Sequence, residues 1–162
     1  MGIEKYISAL TAGPFFRFSD GLDPSLPLAE IGAYAIWKWN VLLYVGSSGR
    51  AWKADPAPAR MRGIKDRLDS HWKGKRSGST LALAVWDRYI VPSLSMEETK
   101  QLADGRLMPN PDERTREFIC SNLSYSFICV CRYSEALKIE NELRLGKTAA
   151  GTPLLNPKRT AY

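Results

Sequence analysis

Two tyrosines, an arginine, a histidine and a glutamate stand at spacings that would let them act together. Tyr34 and Tyr44 lie in Gly32-Ala33-Tyr34 and Tyr44-Val45-Gly46, near the two ends of one short stretch. Arg67 and His71 are four residues apart, so a helix would set them side by side, and His71 is the only histidine in the chain. Glu140 falls among Ala136, Leu137, Ile139 and Leu143 on the apolar arc of a helix. A carboxylate set into such a face is costly unless a cation compensates it. Phenol, guanidinium, imidazole and carboxylate groups can hold phosphates and move protons. The basic, glycine-bearing run Lys73-Gly74-Lys75-Arg76-Ser77-Gly78-Ser79 could close on a phosphate backbone through side chains and amides.

These groups need elements to position them. Ala35-Ile36-Trp37 and Val41-Leu42-Leu43 flank Lys38-Trp39-Asn40, which predicts a β-hairpin with its turn in the middle. Tyr34 and Tyr44 should then lie opposite or diagonal to each other near its open end. A helix is expected from about Ala59, with Met61, Ile64, Leu68 and Trp72 as its apolar stripe and Arg60, Gly63, Arg67 and His71 on one flank. Residues 80–123 read as helical: Leu81, Val85 and Tyr89 recur at helical spacing, Ser95 to Glu98 is a capping box, and Asn110-Pro111 opens a further helix. Tyr125 to Arg132 reads as a strand buried on both faces, with Cys129 and Cys131 as core thiols. A last helix is expected from Ser134, carrying Glu135, Glu140 and Glu142. Before the hairpin, residues 1–31 read as an extension capping the core, with Phe15 to Phe18 as a short strand or aromatic plug. Pro14, Pro24 and Pro27 break any long helix there.

Composition sets the broad class. The chain has 162 residues, 44% hydrophobic and 25% charged, which describes one globular domain with elaborations. No run approaches the roughly 20 apolar residues of a membrane span, and the opening Met1-Gly2-Ile3-Glu4-Lys5 resembles neither a secretory leader nor a lipid-anchor site. Three cysteines without a Cys-x-x-Cys pair are expected to be reduced thiols of a cytoplasmic protein. A net charge of +6 suits a partner that carries phosphates.

The order Gly-x-Tyr, Tyr-x-Gly, Arg67-x-x-x-His71, Glu140 and Asn156 resembles the signature of the GIY-YIG nuclease superfamily. Ala33 and Val45 replace the middle isoleucines of the two triplets. The likeness covers about residues 32–157 and leaves out the extension at 1–31 and a helical insertion at about 80–123. It implies an α/β (α+β) core: a small three-stranded antiparallel sheet with flanking helices, in a nuclease domain over 32–162. It also implies a metal-dependent endonuclease acting on DNA, with Mg²⁺ (or Mn²⁺ in its place) as cofactor and a homodimer as one form. Tyr34 would be the base, Tyr44 would orient water or phosphate, and Arg67 would hold the phosphate. His71 would relay a proton or bind phosphate, Glu140 would ligate the metal, and Asn156 would steady the site or contact phosphate. Gly46, Ser47, Lys73, Lys75 and Arg76 would touch the nucleic acid. Two rival readings are a non-catalytic nucleic-acid-binding module on the same fold and a protein-interaction scaffold that reads no nucleic acid.

Overall fold

The hairpin forms where β-branched and aromatic residues cluster. In a computed structural model, which describes residues 2–50, 62–106 and 110–156, β2 spans Gly32–Lys38 and β3 spans Val41–Ser48. The turn between them places Trp39 at a φ of 54°, a left-handed conformation rare for a bulky side chain. The pairing runs Gly32 to Ser48, Tyr34 to Gly46, Ile36 to Tyr44 and Trp37 to Leu42, so Leu43 is an extra residue, a β-bulge. The bulge sends Leu43 and Tyr44 into one core and Leu42 and Val45 into the other. Tyr34 and Tyr44 thus become diagonal neighbours on one face of the sheet, one of the two arrangements expected for the hairpin.

The sheet has four antiparallel strands, not three, in the order β1 (Phe16–Arg17), β4 (Ser124–Cys129), β2, β3. β4, Ser124–Cys129, pairs with β2 on the side away from β3. The added strand is β1, Phe16–Arg17, paired with Tyr125 and Ser124. Its neighbours form an aromatic plug as well: Phe16 stacks on Tyr125 at 5.5 Å, and Phe18 lies 4.8 Å from the same ring. The short strand and the plug are therefore one device, and they extend the sheet at its edge.

Helices cover both faces. On the tyrosine side, Ile64 and Leu68 of α2 (Ile64–Trp72), Leu81, Ala82 and Val85 of α3 (Thr80–Val85) and Ile119 of α5 (Pro111–Asn122) bury against Tyr34, Ile36 and Tyr44. On the other side, Leu10 of α1 (Ile3–Ala12) and Ala136, Ile139 and Leu143 of α6 (Tyr133–Arg144) meet Ala33, Ala35, Trp37 and Val45. Each buried leucine, isoleucine or valine among them contributes about 1.5–3 kcal/mol on burial. α3 continues through a π turn over Trp86–Ile90 and a 3-10 turn over Val91–Ser93, and α4 is Met96–Ala103. The Ser95–Glu98 capping box and the Asn110 cap form as their sequences predict.

In the extension, α1 is a short helix that ends before the helix-breaking Pro14. Several expectations are corrected. α6 begins at Tyr133, not after Ser134, because the Glu135 carboxylate accepts the Arg132 backbone N–H at 3.2 Å and draws the cap back. Cys129 and Cys131 are exposed, not core, because the β4 ladder ends at Cys129, opposite Gly32, and the chain leaves the sheet there. The helix expected from about Ala59 begins at Ile64, because Gly63 is extended and caps it with its N–H donating to Asp66 Oδ2 at 3.2 Å; Ala59, Arg60 and Met61 themselves lie outside the described residues. No described helix is long and apolar enough to cross a membrane.

Candidate functional site

The tyrosine face of the hairpin carries a cluster assembled from four elements. Tyr34 is 3% exposed, and it reaches across β3 at Gly46, where any side chain would overlap its hydroxyl. That close approach is a reason for glycine at 46 in which backbone conformation plays no part. Tyr34 Oη lies 2.8 Å from His71 Nε2, and His71 Nδ1 lies 2.6 Å from Ser79 Oγ. Tyr44 Oη meets Thr80 Oγ1 at 2.7 Å. The rings close into one group, with Tyr34–Tyr44 at 6.4 Å, Tyr34–His71 at 5.4 Å and Tyr44–His71 at 5.6 Å.

His71 is the buried end of this group, at 3% exposure, one turn beyond the exposed Arg67 on α2. Burial, then the Arg67 charge, hold its pKa down at about 3. Its imidazole is therefore neutral near pH 7 and lies as deeply buried as Tyr34. Burial pushes Tyr34 well above the usual tyrosine range; the Tyr44 and Glu140 charges add to the rise and Arg67 opposes it. Burial also raises Tyr44, against the Thr80 hydrogen bond and the Arg67 charge. Arg67 and Glu140 thus act electrostatically on both tyrosines, from opposite faces of the sheet.

The same imidazole makes the fold acid-sensitive. The unfolded chain protonates His71 near the ordinary 6.5, the folded chain only near 3. Between those values the unfolded state binds the extra proton, so stability falls as pH falls and the loss is complete below about 3. Urea denaturation from pH 7 to pH 4 should show this decline, and His71→Gln should flatten it. An equal decline in the variant would assign the acid sensitivity to other groups.

Glu140 comes from α6 to the end of β3. The Ser47 hydroxyl donates to Glu140 Oε2 at 2.6 Å, and Arg144 Nη1 donates to Oε1 at 3.3 Å. The two charged side chains are 14% and 18% exposed, so the carboxylate set into an apolar face is compensated by a cation one turn along. Glu142 instead lies outward with Lys147 at 3.1 Å. Asn156 clamps the edge strand: Val45 N–H donates to its Oδ1 and its Nδ2 donates to Val45 O, both at 2.8 Å. Leu155 N–H adds a bond to Leu43 O at 2.7 Å. The Asn156 amide is therefore spent on holding β3 straight between Tyr44 and Gly46.

Of the residues expected to touch nucleic acid, most are engaged within the protein. Gly46 is buried, the Ser47 hydroxyl serves Glu140, and Lys73 pairs with Asp69. Arg76 donates from Nε to Asp112 Oδ1 at 2.9 Å and lies 4.8 Å over the Trp86 ring, which ties the basic loop to α5 and α3. Lys75 is exposed on that loop. A groove of about 1070 Å³ opens beside the Tyr44–Thr80 contact, lined by Leu83, Asn141, Arg144, Leu154 and Asn156 among others. Ser79, Thr80 and Arg144 were not singled out from the sequence. Ser79 had a signal, a cap-type residue just before the Leu81/Val85 periodicity, and Arg144 stands four residues after Glu140.

Among the described residues, no group of three or more His, Cys, Asp or Glu side chains is arranged as a metal cage. The fold and site define a mixed helix-and-sheet protein, with a four-stranded antiparallel sheet covered on both faces and a tyrosine–histidine cluster on one of them. No family model matches the chain, and no curated protein or solved structure matches it.

Proposed function

We propose that this chain is a metal-dependent endonuclease of the GIY-YIG type that hydrolyses phosphodiester bonds in DNA. The observation that carries the reading is the hydrogen-bonded Tyr34–His71 pair beside Tyr44, under the opposed charges of Arg67 and Glu140. Arg67 and Glu140, on two separate helices, both act electrostatically on Tyr34 and Tyr44. A structural role alone does not require an exposed arginine and a compensated glutamate at the same tyrosines.

The chemistry follows from the side chains. Tyr34 takes a proton from the attacking water, for which its phenolate must be favoured against burial. Arg67 supplies that bias and holds the phosphate with its planar fork. Tyr44, tethered to Thr80, orients water or phosphate. Asn156 and Gly46 keep β3 aligned so that the two phenols share a face. A single, largely buried carboxylate with a hydroxyl beside it suits Mg²⁺, which keeps several waters and needs few protein ligands. Glu140 would hold that ion, with Arg144 giving up its share of the carboxylate. When bound, the ion offsets charge on the phosphate and leaving oxygen. The basic surface, Lys75 included, adds a salt-dependent attraction for the nucleic acid backbone.

The test is cleavage of plasmid, duplex and branched DNA by the purified protein with Mg²⁺, wild type against Tyr34→Phe. Phenylalanine fills the same space and removes one buried hydrogen bond, a stability cost of about 1 kcal/mol. The expected result is cutting by the wild type and a loss of roughly 100-fold or more in the variant. Equal cutting by both would make Tyr34 a packing residue. DNA binding without cutting under any divalent ion would support the non-catalytic module instead.

A further inference from the structure

We propose that the tip of the β2–β3 hairpin is a stacking platform for an unpaired nucleobase, with Trp39 as the ring and Lys38 as the cation for the adjoining phosphate. The proposal rests on the nuclease reading for the class of partner, and on the hairpin alone for its geometry. Trp39 is 82% exposed, at a φ of 54°. Left-handed backbone is unfavourable for a bulky residue, and turns that need it favour Gly, Asn or Asp. An indole this exposed is not buried in the core, so packing does not offset that cost. Tryptophan here gives the fold little and leaves most of its ring surface open.

The cation beside it is held in place. Lys38 Nζ lies 5.5 Å from the Trp39 ring centroid, 4.9 Å from that of Tyr89 and 5.5 Å from that of Phe118. Tyr89 and Phe118 are half-buried and stack on each other at 4.8 Å, and the π turn after α3 supplies Tyr89. The three rings attract the ammonium, yet among the described residues no carboxylate pairs with it. An exposed ring alone would suit a protein surface equally. The unneutralised ammonium and the net charge of +6 favour a polyanion instead. An open indole next to a cation is how single-stranded nucleic acid is held: the base stacks on the ring and the backbone follows the positive charge. Tyr34, Ile36 and Lys38 alternate onto one face of β2, so Lys38 stands about 13 Å from Tyr34 along the strand. About four nucleotides of one DNA strand, at about 3.4 Å each, span that distance.

The test is binding of a short fluorescent oligothymidylate, and of a duplex of the same length, to the full chain in EDTA, so that nothing is cut. Trp39→Asn should weaken binding of the single strand by about 5- to 150-fold and of the duplex far less. Its folding stability should equal or exceed that of the wild type, because asparagine accepts the left-handed turn. Lys38→Gln should lower the slope of log affinity against log salt by about 0.7, the share of one single-strand phosphate, and Lys38→Arg should restore it. Trp39→Asn should leave that slope near the wild-type value. A wild type that binds no oligothymidylate overturns the platform, and so does unchanged single-strand affinity in Trp39→Asn. If that variant also cuts DNA like the wild type, the nuclease reading survives the loss. A fall in the stability of Trp39→Asn overturns the platform by making the indole part of the fold. A changed oligomeric state with unchanged affinity overturns it by making the tip a protein contact. An unchanged salt slope in Lys38→Gln overturns the role of the lysine. Oligothymidylate binding that depends on Trp39, in a protein that never cuts DNA, would defeat the nuclease reading and leave the platform standing.

Discussion

Arg67→Ala should lower cleavage by about 100- to 1,000-fold while leaving the protein folded. The magnitude is that of removing one preorganised donor to developing charge, about 3–4 kcal/mol of transition-state stabilisation. Arg67 is exposed on α2, while Ile64, Leu68 and His71 make up the buried side of that helix. An exposed substitution away from the core changes stability by about 0.5 kcal/mol or less, so activity and stability separate cleanly. The Arg67 charge also holds the proton affinity of both tyrosines down. Its loss should therefore shift the rising limb of the pH–rate profile upward as well as lowering the plateau. Arg67→Lys keeps a charge but not the planar fork, and should recover the pH profile more fully than the rate. Near-wild-type turnover in folded Arg67→Ala would remove arginine from the mechanism and leave the tyrosine cluster as a buried hydrogen-bonded core.

The hairpin was legible from the two apolar runs about Lys38-Trp39-Asn40, which left the tyrosines opposite or diagonal; the diagonal register follows from the bulge. The bulge at Leu43 was not legible, since an extra residue leaves no mark in an apolar run. Periodicity gave the buried faces of α2 and α6 at Ile64, Leu68, Ala136, Ile139 and Leu143, because a helix face is set by residues three and four apart. The same local reading misplaced Cys129 and Cys131, whose exposure depends on where β4 stops pairing with β2. The fourth strand depends likewise on Phe16 finding Tyr125 across more than a hundred residues of chain.

The site shows the same division. Arg67 and His71 could be placed on one flank of a helix from their spacing. That His71 bonds Tyr34 is a contact between residues 37 apart, and its second partner, Ser79, lies across a turn whose path no pattern fixes. The basic loop shows the opposite failure: its charges suggested a phosphate grip, yet Arg76 is committed to Asp112 and Trp86. Formal charge reads directly from residue type, whereas the availability of that charge is a property of the fold.

Glu140→Gln should abolish Mg²⁺-dependent cleavage with DNA binding retained, while Glu142→Gln is nearly silent. Both glutamates lie on α6, but their surroundings differ. Glu140 is held at the end of β3 by the Ser47 hydroxyl and by Arg144, with its side chain 14% exposed. Glu142 pairs with Lys147, whose side chain is 59% exposed, and such surface pairs contribute about 0–1 kcal/mol. Glutamine can still accept from Ser47, but it leaves Arg144 without this carboxylate, so Glu140→Gln should cost about 1–3 kcal/mol of stability. That cost must be measured by denaturation, because a folding defect would imitate loss of metal. The distinguishing readout is a Mg²⁺ titration on the folded fraction. If Glu140 ligates the ion, raising Mg²⁺ rescues Glu140→Gln little or not at all, while the DNA affinity and its salt dependence stay near wild type. Arg144→Ala provides the counterpart, since it releases the carboxylate from its internal cation and should lower the Mg²⁺ concentration needed for half-maximal cleavage. An active Glu140→Gln would show that the glutamate serves only to pair Arg144 and Ser47 within the fold, and a dead but folded Glu142→Gln would move the metal site to the outer face of α6.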